Sequence, residues 1–249
     1  MAALRRSALV TGPSRGIGKA IATLLLERGY KVACGFRAQQ GKAAELAARH
    51  ADALPIRLDI HDRASVRDAL AATAKRFGSP IDILVNNAAI ADEKPFETIT
   101  DADWDRMLET NLRGPFIAVQ EALPAMVARR WGRIVNIVSI GGQWGGLRQV
   151  HYAASKAGLI NLTQSLARLY SAQGITSNAV SPGLVETDMV QTELHSEAGR
   201  AKLAQIPLGR IAAPREIAAA VAFLCSEEAG YITGHVLNVN GVFSLSVST

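Results

Sequence analysis

The chain has 249 residues, of which 49% are hydrophobic and 20% are charged, and its formal net charge is +5 at pH 7. This composition predicts a soluble protein with a sizeable core. The sequence has no run of about 18 uncharged apolar residues, so we predict no membrane span. The segment Met1–Arg6 is too short for a signal peptide, and the two cysteines predict buried free thiols. We therefore expect a cytoplasmic protein.

The excess of basic residues has two interpretations. One is a slightly basic solvated surface, and the other is an anionic ligand, such as a phosphorylated cofactor or an acidic carrier protein. Lysines and arginines are dispersed without a basic block or an aromatic ladder, so a nucleic-acid partner is not expected. Cysteines and histidines do not cluster at metal-ligand spacing, so we predict no metal site.

Short β-branched runs alternate with Ala- and Leu-rich stretches along the chain. The predicted strands are Ser7–Thr11, Lys31–Phe36, Leu54–Leu58, Ile81–Asn86, Arg133–Ser139, Thr176–Ser181 and His235–Val239. The predicted helices between them include Gly18–Arg28, Gln39–His50, Ala64–Phe77, Tyr152–Gln173 and Arg215–Ser226. Apolar strands that alternate with helices indicate an α/β fold, with a doubly wound parallel sheet and helices on both faces. We predict a single domain over residues 1–249, with a flexible substrate lid around 183–207.

A glycine-rich turn lies between the first strand and the first helix. It runs from Thr11 to Gly18 and reads Thr-Gly-Pro-Ser-Arg-Gly-Ile-Gly. Glycines permit a tight turn and close approach of the backbone to a pyrophosphate, and the following helix directs its positive end at that anion. A purely structural turn is the alternative, but the position after a strand favours a dinucleotide. The predicted cofactor contacts in this turn are Gly12, Ser14, Arg15, Gly16, Ile17 and Gly18.

The end of the second strand distinguishes NAD from NADP. An acidic residue there would bind the two ribose hydroxyls of NAD. This chain has Arg37 instead, whose planar fork of donors suits a 2′-phosphate, and Arg15 could approach the same phosphate. Either arginine alone could be a surface charge. Arg37 could also point into solvent, in which case Arg15 alone would bind the phosphate. Their joint placement predicts NADP(H).

The ends of the third and fourth strands supply further candidates for the adenosine half of the cofactor. Asp59 and Ile60 follow the third strand, where the Asp59 carboxylate could accept a hydrogen bond from the adenine amino group. Asn87 and Ala88 follow the fourth strand, where backbone and amide groups could meet the adenosine ribose. All four are predicted cofactor contacts.

Tyr152, Lys156 and Ser139 form the predicted chemical site. Tyr152 and Lys156 are four residues apart, so on a helix they share one face. A nearby ammonium is expected to lower the pKa of the tyrosine, which could then protonate a carbonyl oxygen. Ser139, thirteen residues before Tyr152, is predicted to end the fifth strand and to hydrogen-bond the same oxygen.

Together these motifs resemble the short-chain dehydrogenase/reductase family over nearly the whole chain. The glycine turn and the segment Asn86–Ala89 resemble the cofactor elements of that family. The resemblance implies a Rossmann-like sheet and a catalytic tetrad of Asn111, Ser139, Tyr152 and Lys156, in which Asn111 anchors a water of the proton relay. It also implies nicotinamide-end contacts from Pro182, Gly183, Val185 and Thr187, and cofactor contacts from Tyr152 and Lys156.

The C-terminal third is most similar to the 3-oxoacyl-(acyl-carrier-protein) reductases of that family, through Ile206–Arg210, Tyr231–Gly234 and Val239–Gly241. Ala89 and Val242 stand where those reductases have glycine. The resemblance implies reduction of a ketone or a 3-oxoacyl thioester by NADPH. It also implies a homotetramer, which pairs the helices containing Asn111–Arg129 and Tyr152–Gln173 and is completed by the C-terminal strand.

Other candidates concern the partner and the substrate. Arg129 and Arg130 stand where such reductases present a basic patch to an acyl carrier protein, although Gln173 replaces a second arginine. The residues expected to line a substrate pocket with Ser139 are Trp144, Leu147, Leu184 and Met189. Two alternative functions remain at this point. One is an NAD-dependent alcohol or diol dehydrogenase, which the cofactor specificity would distinguish. The other is a non-catalytic dinucleotide sensor, which would not need Tyr152.

Overall fold

The fold is built on one parallel sheet. The computed structural model describes residues 5–186, 201 and 203–242, apart from the side chains at 40, 42 and 43. The strands are β1 Ser7–Thr11, β2 Lys31–Phe36, β3 Ala53–Arg57, β4 Ile83–Asn86, β5 Gly132–Ile137, β6 Ile175–Pro182 and β7 Val236–Val239. Their spatial order is β3-β2-β1-β4-β5-β6-β7, and each adjacent pair is parallel. The predicted parallel sheet is confirmed.

Helices cover both faces of this sheet. Those within the described ranges include α1 Gly16–Glu27, α2 Gln40–Arg49, α3 Arg63–Phe77, α4 Asp101–Leu108, α5 Gly114–Arg129, α6 Gly141–Trp144, α7 Val150–Tyr170 and α8 Pro214–Leu224. Side chains of a strand alternate between the two faces. In β1, Ala8 and Val10 pack into a cluster with α1 and α8, whereas Leu9 packs into a second cluster with α3, α5 and α7. Both clusters are buried, which explains the nearly continuous apolar strands.

Several elements begin or end a few residues from the predicted bounds, and two differences bear on the site. β5 ends at Ile137, so Ser139 lies two residues beyond the strand instead of ending it. Between β4 and β5 the chain forms α4, a π-helical turn at Glu109–Arg113 and then α5 without a break. The π turn adds residues between two α-helical repeats, which obscures the 3.6-residue period from which α4 could have been predicted.

A crevice forms where the strand order reverses. β1 pairs with β2 on one side and with β4 on the other, so the connections from these strands leave in opposite directions. Ligands of open α/β sheets bind outside the carboxyl ends of the strands at such a point. A buried polar ladder joins the sheet to α7 nearby: Asn86 Nδ2 donates to Asn136 Oδ1 at 2.8 Å, and Asn136 Nδ2 donates to Thr163 Oγ1 at 2.9 Å. The ladder sets the position of α7 relative to the sheet.

The chain beyond β7 carries a strained residue. Gly241 and Val242 have φ values of 61° and 64°, in the left-handed region. A β-branched side chain is disfavoured there, which gives a physical reason for the glycine that the resembling reductases have at the position of Val242. Across the described part of the chain, no helix is long and apolar enough to span a membrane.

Candidate active site

A cleft of about 880 Å³ opens at the carboxyl ends of the central strands. Predicted residues that line it are Gly12, Ser14, Arg15, Gly16, Ile17, Gly18, Asn87, Ala88, Ser139, Tyr152, Lys156, Pro182, Gly183, Leu184 and Val185. The structure therefore brings the glycine turn and the predicted chemical residues to one cleft. Thr187, Met189 and most of the predicted lid lie outside the described residues.

The glycine turn has the shape that a dinucleotide requires. Gly12 has φ +66°, and a Cβ atom on Gly18 would lie 2.3 Å from the Gly12 carbonyl oxygen, so α1 packs directly on the turn. No side chain caps α1, which leaves the N–H groups of its first turn available to an anion. Asn87 Nδ2 donates to the carbonyl oxygens of Thr11 and Gly12, at 2.9 and 3.0 Å. This amide, predicted to meet the adenosine ribose, therefore holds the turn.

The residues predicted to bind the adenosine end partly bind each other. Arg37 Nε lies 3.3 Å from Asp59 Oδ2, and the Arg37 side chain is 68% exposed. Arg15 is also exposed, at the start of α1 on the rim of the cleft. The Ile60 side chain is buried against Gly114 at the start of α5, where a side chain larger than hydrogen would collide with it. A contact of Ile60 with a cofactor would thus come from its main chain, and binding of a phosphate by the two exposed arginines stays a prediction.

Tyr152, Lys156 and Ser139 meet at the inner end of the cleft. Tyr152 and Lys156 lie one turn apart on α7, as predicted, and the Ser139 hydroxyl hydrogen-bonds the Tyr152 side chain. The Gly141 amide donates to Ser139 Oγ at 3.2 Å, which orients the hydroxyl. Lys156 Nζ donates to the Ile137 carbonyl oxygen at 2.8 Å and lies 5.7 Å from the centre of the Tyr152 ring.

Burial dominates the electrostatics of this group. It raises the pKa of Tyr152, and the hydrogen bond from Ser139 opposes that shift. Burial lowers the pKa of Lys156 to about 8. The sequence-based expectation is that Lys156 lowers the pKa of Tyr152, whereas in this structure the opposing contact comes from Ser139. Tyr152 is accordingly protonated at neutral pH and able to donate.

Asn111 is fully buried on the π-helical turn. Its Oδ1 accepts from the Ile90 amide at 3.0 Å, and its Nδ2 donates to the Ile90 carbonyl oxygen at 2.9 Å and to Ser155 Oγ at 3.1 Å. Ser155 in turn donates to the Tyr152 carbonyl oxygen at 2.7 Å. The side-chain amide is thus occupied by protein groups that connect α7 to the loop after β4.

Sequence reasoning missed several residues of the site. Ser155 and Ile90 hold Asn111, but one is a small residue within a helix and the other donates only through its backbone, so no pattern marks them. Lys19 and Arg215 line the cleft beside the glycine turn. Arg215 pairs with Glu27 at 2.8 Å across 188 positions of sequence, which no local pattern reveals.

The predicted substrate residues behave differently from one another. Leu184 lines the cleft next to Gly183 and Val185, which are predicted cofactor contacts. Trp144 and Leu147 are 62% and 91% exposed and do not line it. Both follow Ser139 in the chain, and their assignment to a substrate pocket stays a prediction.

The fold and this cleft define a nucleotide-dependent oxidoreductase, and comparison with known proteins agrees. The family model described as enoyl-(acyl carrier protein) reductase matches residues 12–244. The chain belongs to the short-chain dehydrogenase/reductase family. The resemblance stated from the motifs is confirmed.

Relatives align with the chain over almost its whole length. The 3-oxoacyl-(acyl-carrier-protein) reductase FabG of Vibrio cholerae is 45% identical over 234 residues, which cover 94% of this chain and 95% of the relative. The protein of the same name from Staphylococcus aureus is 41% identical over 242 residues, 96% and 98% of the two chains. A solved structure from Agrobacterium tumefaciens, assigned as a gluconate dehydrogenase, has a TM-score of 0.90 and 32% identity, and covers 96% of this chain and 95% of that one. The predicted Rossmann-like fold is confirmed.

Proposed function

We propose that the protein catalyses the reduction of a 3-oxoacyl thioester, or of a related ketone, by NADPH. The observation that carries the proposal is the meeting of Ser139, Tyr152 and Lys156 at the inner end of a cleft whose outer wall is the glycine turn. A non-catalytic sensor would need only the outer wall. The relatives named as 3-oxoacyl-(acyl-carrier-protein) reductases support the substrate class.

Each side chain has a distinct role in this reaction. NADPH, when bound, supplies the hydride that reaches the carbonyl carbon. Tyr152 donates its phenolic proton to the carbonyl oxygen, and Ser139 orients that oxygen by a hydrogen bond. The Lys156 ammonium, 5.7 Å from the ring, stabilises the negative charge that develops on Tyr152. Asn111 keeps α7 in place through Ser155. The product is the corresponding hydroxy compound.

The basic patch at the end of α5 supports delivery by a carrier protein only in part. Arg129 Nη2 donates to the Ile81 carbonyl oxygen at 2.6 Å and lies 3.5 Å from Asp82 Oδ1. Arg130 Nη2 donates to the Ala172 carbonyl oxygen at 2.9 Å. Since both guanidinium groups have intramolecular partners, the affinity for an acidic carrier is expected to come from their remaining donors. We include an acyl carrier protein as the proposed source of substrate.

The function is tested by following NADPH oxidation with a panel of substrates. Simple ketones, diketones, 3-oxoacyl thioesters of small thiols and a 3-oxoacyl carrier protein are compared, each with NADPH and with NADH. We expect the highest kcat/KM for a 3-oxoacyl thioester with NADPH. Turnover confined to the oxidation of alcohols or diols with NAD would contradict the proposal and support the alternative dehydrogenase.

We expect kcat/KM for carbonyl reduction to fall as the pH rises through about 8, where Lys156 loses its proton in the folded protein. The ordinary pKa of 10.5 is lowered by burial, so the ammonium is present below this pH and lost above it. The loss removes the charge that stabilises the Tyr152 phenolate. A pH profile of the wild type and of Lys156→Arg checks this, because a guanidinium keeps its proton throughout the range. A wild-type profile that is flat through pH 8 would rule out this role.

Apolar side chains at the surface support the proposed assembly. A groove on α4, the π-helical turn, α5 and α7 is lined by the exposed Phe116, by the half-buried Leu108, Leu112 and Leu162, and by the ion pair Glu109–Arg113 at 3.1 Å. A two-fold axis brings one patch against itself, so a patch with both signs of charge complements its own copy. The strand β7 lies at the edge of the sheet, where a second interface could form.

We therefore propose a homotetramer and expect light scattering to give four times the chain mass at micromolar concentration. Phe116→Arg should dissociate it, because two arginines would face each other across the axis, whereas Arg76→Glu, an exposed change on α3, should not. A monomeric wild type would contradict the proposal.

The state of the two cysteines bears on the cellular location. Cys34 and Cys225 are both buried and unbridged, and burial raises the pKa of each thiol to about 12. Such thiols are inert and fit a reducing compartment, so we propose that the protein acts in the cytoplasm.

A further inference from the structure

A line of polar contacts begins at the residue proposed to bind the 2′-phosphate of NADPH. Arg37 Nε lies 3.3 Å from one oxygen of Asp59, Oδ2. The other oxygen, Oδ1, accepts from the His61 amide at 3.1 Å and lies 3.6 Å from His61 Nδ1. One carboxylate is therefore shared between the guanidinium of Arg37 and the ring and main chain of His61.

The line continues from His61 into the π-helical turn. His61 Nε2 lies 3.0 Å from Thr110 Oγ1, and Thr110 Oγ1 donates to the Arg106 carbonyl oxygen at 2.9 Å. A hydroxyl has one proton, so Thr110 accepts from His61 and Nε2 carries a proton. Arg113 Nη1 adds a second link, since it donates to the His61 carbonyl oxygen at 3.4 Å. His61 thus connects the loop after β3 with the π-helical turn that carries Asn111.

Thr110 directly precedes Asn111, and both are buried. Asn111 Nδ2 donates to Ser155 Oγ at 3.1 Å, and Ser155 donates to the Tyr152 carbonyl oxygen at 2.7 Å. The contacts therefore run without a gap from Arg37, at the outer end of the cofactor site, to the helix turn that carries Tyr152.

We propose that His61 is a positioning residue that couples recognition of the 2′-phosphate at Arg37 to the catalytic turn at Asn111. This inference rests on the proposed function, in which Arg37 binds that phosphate. A guanidinium that turns to a phosphate weakens its contact with Asp59, and the carboxylate then interacts more strongly with the His61 main-chain amide, which donates to Oδ1 at 3.1 Å. NAD has no 2′-phosphate, so Arg37 keeps Asp59 and the contacts of His61 stay as they are.

Through this coupling, binding of the 2′-phosphate stabilises the π-helical turn in the position in which Asn111 holds α7. Such coupling is measured as an interaction between substitutions at the two sites. Single residues in networks of this kind have moderate effects, so we expect changes in rate of a few-fold to about ten-fold.

The first test is His61→Gln, with the exposed His235→Gln as its matched control. We expect His61→Gln to lower kcat with NADPH roughly three- to ten-fold and to leave kcat with NADH within about two-fold. In an Arg37→Ala background the same change should have little further effect with NADPH, because the phosphate no longer reaches Asp59 through the arginine. His235→Gln should change neither rate.

A readout without turnover follows amide hydrogen exchange in the peptide that contains Thr110 and Asn111. We expect NADP to slow exchange there more than NAD does in the wild type, and the two cofactors to act alike in His61→Gln. Thr110→Val, which removes the acceptor of His61, should behave like His61→Gln, and Thr110→Ser, which keeps the hydroxyl, should behave like the wild type. The comparison of Thr110→Val with Thr110→Ser tests the proposed coupling even if His61→Gln folds poorly.

Equal loss with both cofactors, or additive effects of His61→Gln and Arg37→Ala, would overturn the inference and leave the proposed function standing. A wild type that reduces carbonyls but does not distinguish NADPH from NADH would overturn the inference together with the role of Arg37. A wild type that reduces no carbonyl, while NADP still slows exchange at Thr110 and Asn111 more than NAD, would contradict the proposed function alone.

Discussion

Replacing Tyr152 by phenylalanine lowers the turnover of carbonyl reduction by at least ~100-fold, the scale of general acid catalysis. The ring stays in place, so packing on α7 is preserved, but the proton that reaches the carbonyl oxygen is gone. Burial raises the pKa of the Tyr152 hydroxyl, so the wild-type group is protonated and ready to donate at neutral pH. Steady-state kinetics with NADPH, together with a fluorescence titration of cofactor binding, measure the two effects separately.

The matched control for this variant is Tyr231→Phe, since Tyr231 is fully exposed. It should leave turnover unchanged. The dissociation constant of NADPH should be nearly the same in Tyr152→Phe as in the wild type, because the lost group acts on the substrate oxygen. Near-normal turnover in Tyr152→Phe would contradict the assignment of Tyr152 as the proton donor.

Replacing Arg37 by alanine weakens NADPH binding by roughly ten- to a hundred-fold and changes NADH binding much less. A charge-assisted hydrogen bond to phosphate contributes about 1.5–3 kcal/mol, and only NADPH has the 2′-phosphate. The structure adds a second reason. Asp59 is paired with Arg37 at 3.3 Å, so the variant leaves a carboxylate near the place where the phosphate binds. The ratio of kcat/KM for the two cofactors measures the effect.

Two further variants separate the arginines. Arg15→Ala tests the neighbouring guanidinium on the rim of the cleft, and Arg76→Ala is an exposed control in the last turn of α3. The control should leave the cofactor ratio unchanged. If Arg37→Ala does not change the ratio and Arg15→Ala does, the phosphate is bound by Arg15 alone. A wild type that prefers NADH would contradict the NADP assignment itself.

The parts of the fold that depend on local pattern could be predicted well. The expected bounds of β1 and β2 agree with the structure, because each is a short apolar run between polar or glycine residues. The glycine turn and the Tyr152–Lys156 pair could also be placed, since one depends on contiguous residues and the other on helical spacing. Ser139 lies two residues beyond the end of β5 although the sequence places it at the strand end, because apolar character continues to Val138, whose amide still donates to the Val180 carbonyl oxygen at 2.9 Å.

What could not be predicted depends on tertiary contacts. The pairing of Arg37 with Asp59 joins the ends of two strands, and neither residue shows in sequence that the other is its partner. The same holds for Asn111, whose amide is taken up by Ile90 and Ser155. The expectation that Lys156 lowers the pKa of Tyr152 considered charge without burial, and burial is the larger effect here.

The π-helical turn at Glu109–Arg113 has a consequence for how this chain tolerates changes of length. α4 and α5 continue into each other through it, so the turn acts as a spacer that lets each helix keep its own rotational phase. A π turn holds about one residue more than an α turn, so deleting one residue from it would give a regular α-helix in which α4 and α5 keep nearly the same rotational phase. Met107 and Ile117, both buried, would then keep their orientation toward the interior. A single-residue deletion at the exposed Glu109 or Arg113 is therefore expected to be tolerated better than one inside α4 or α5, where every following residue would turn by about 100°.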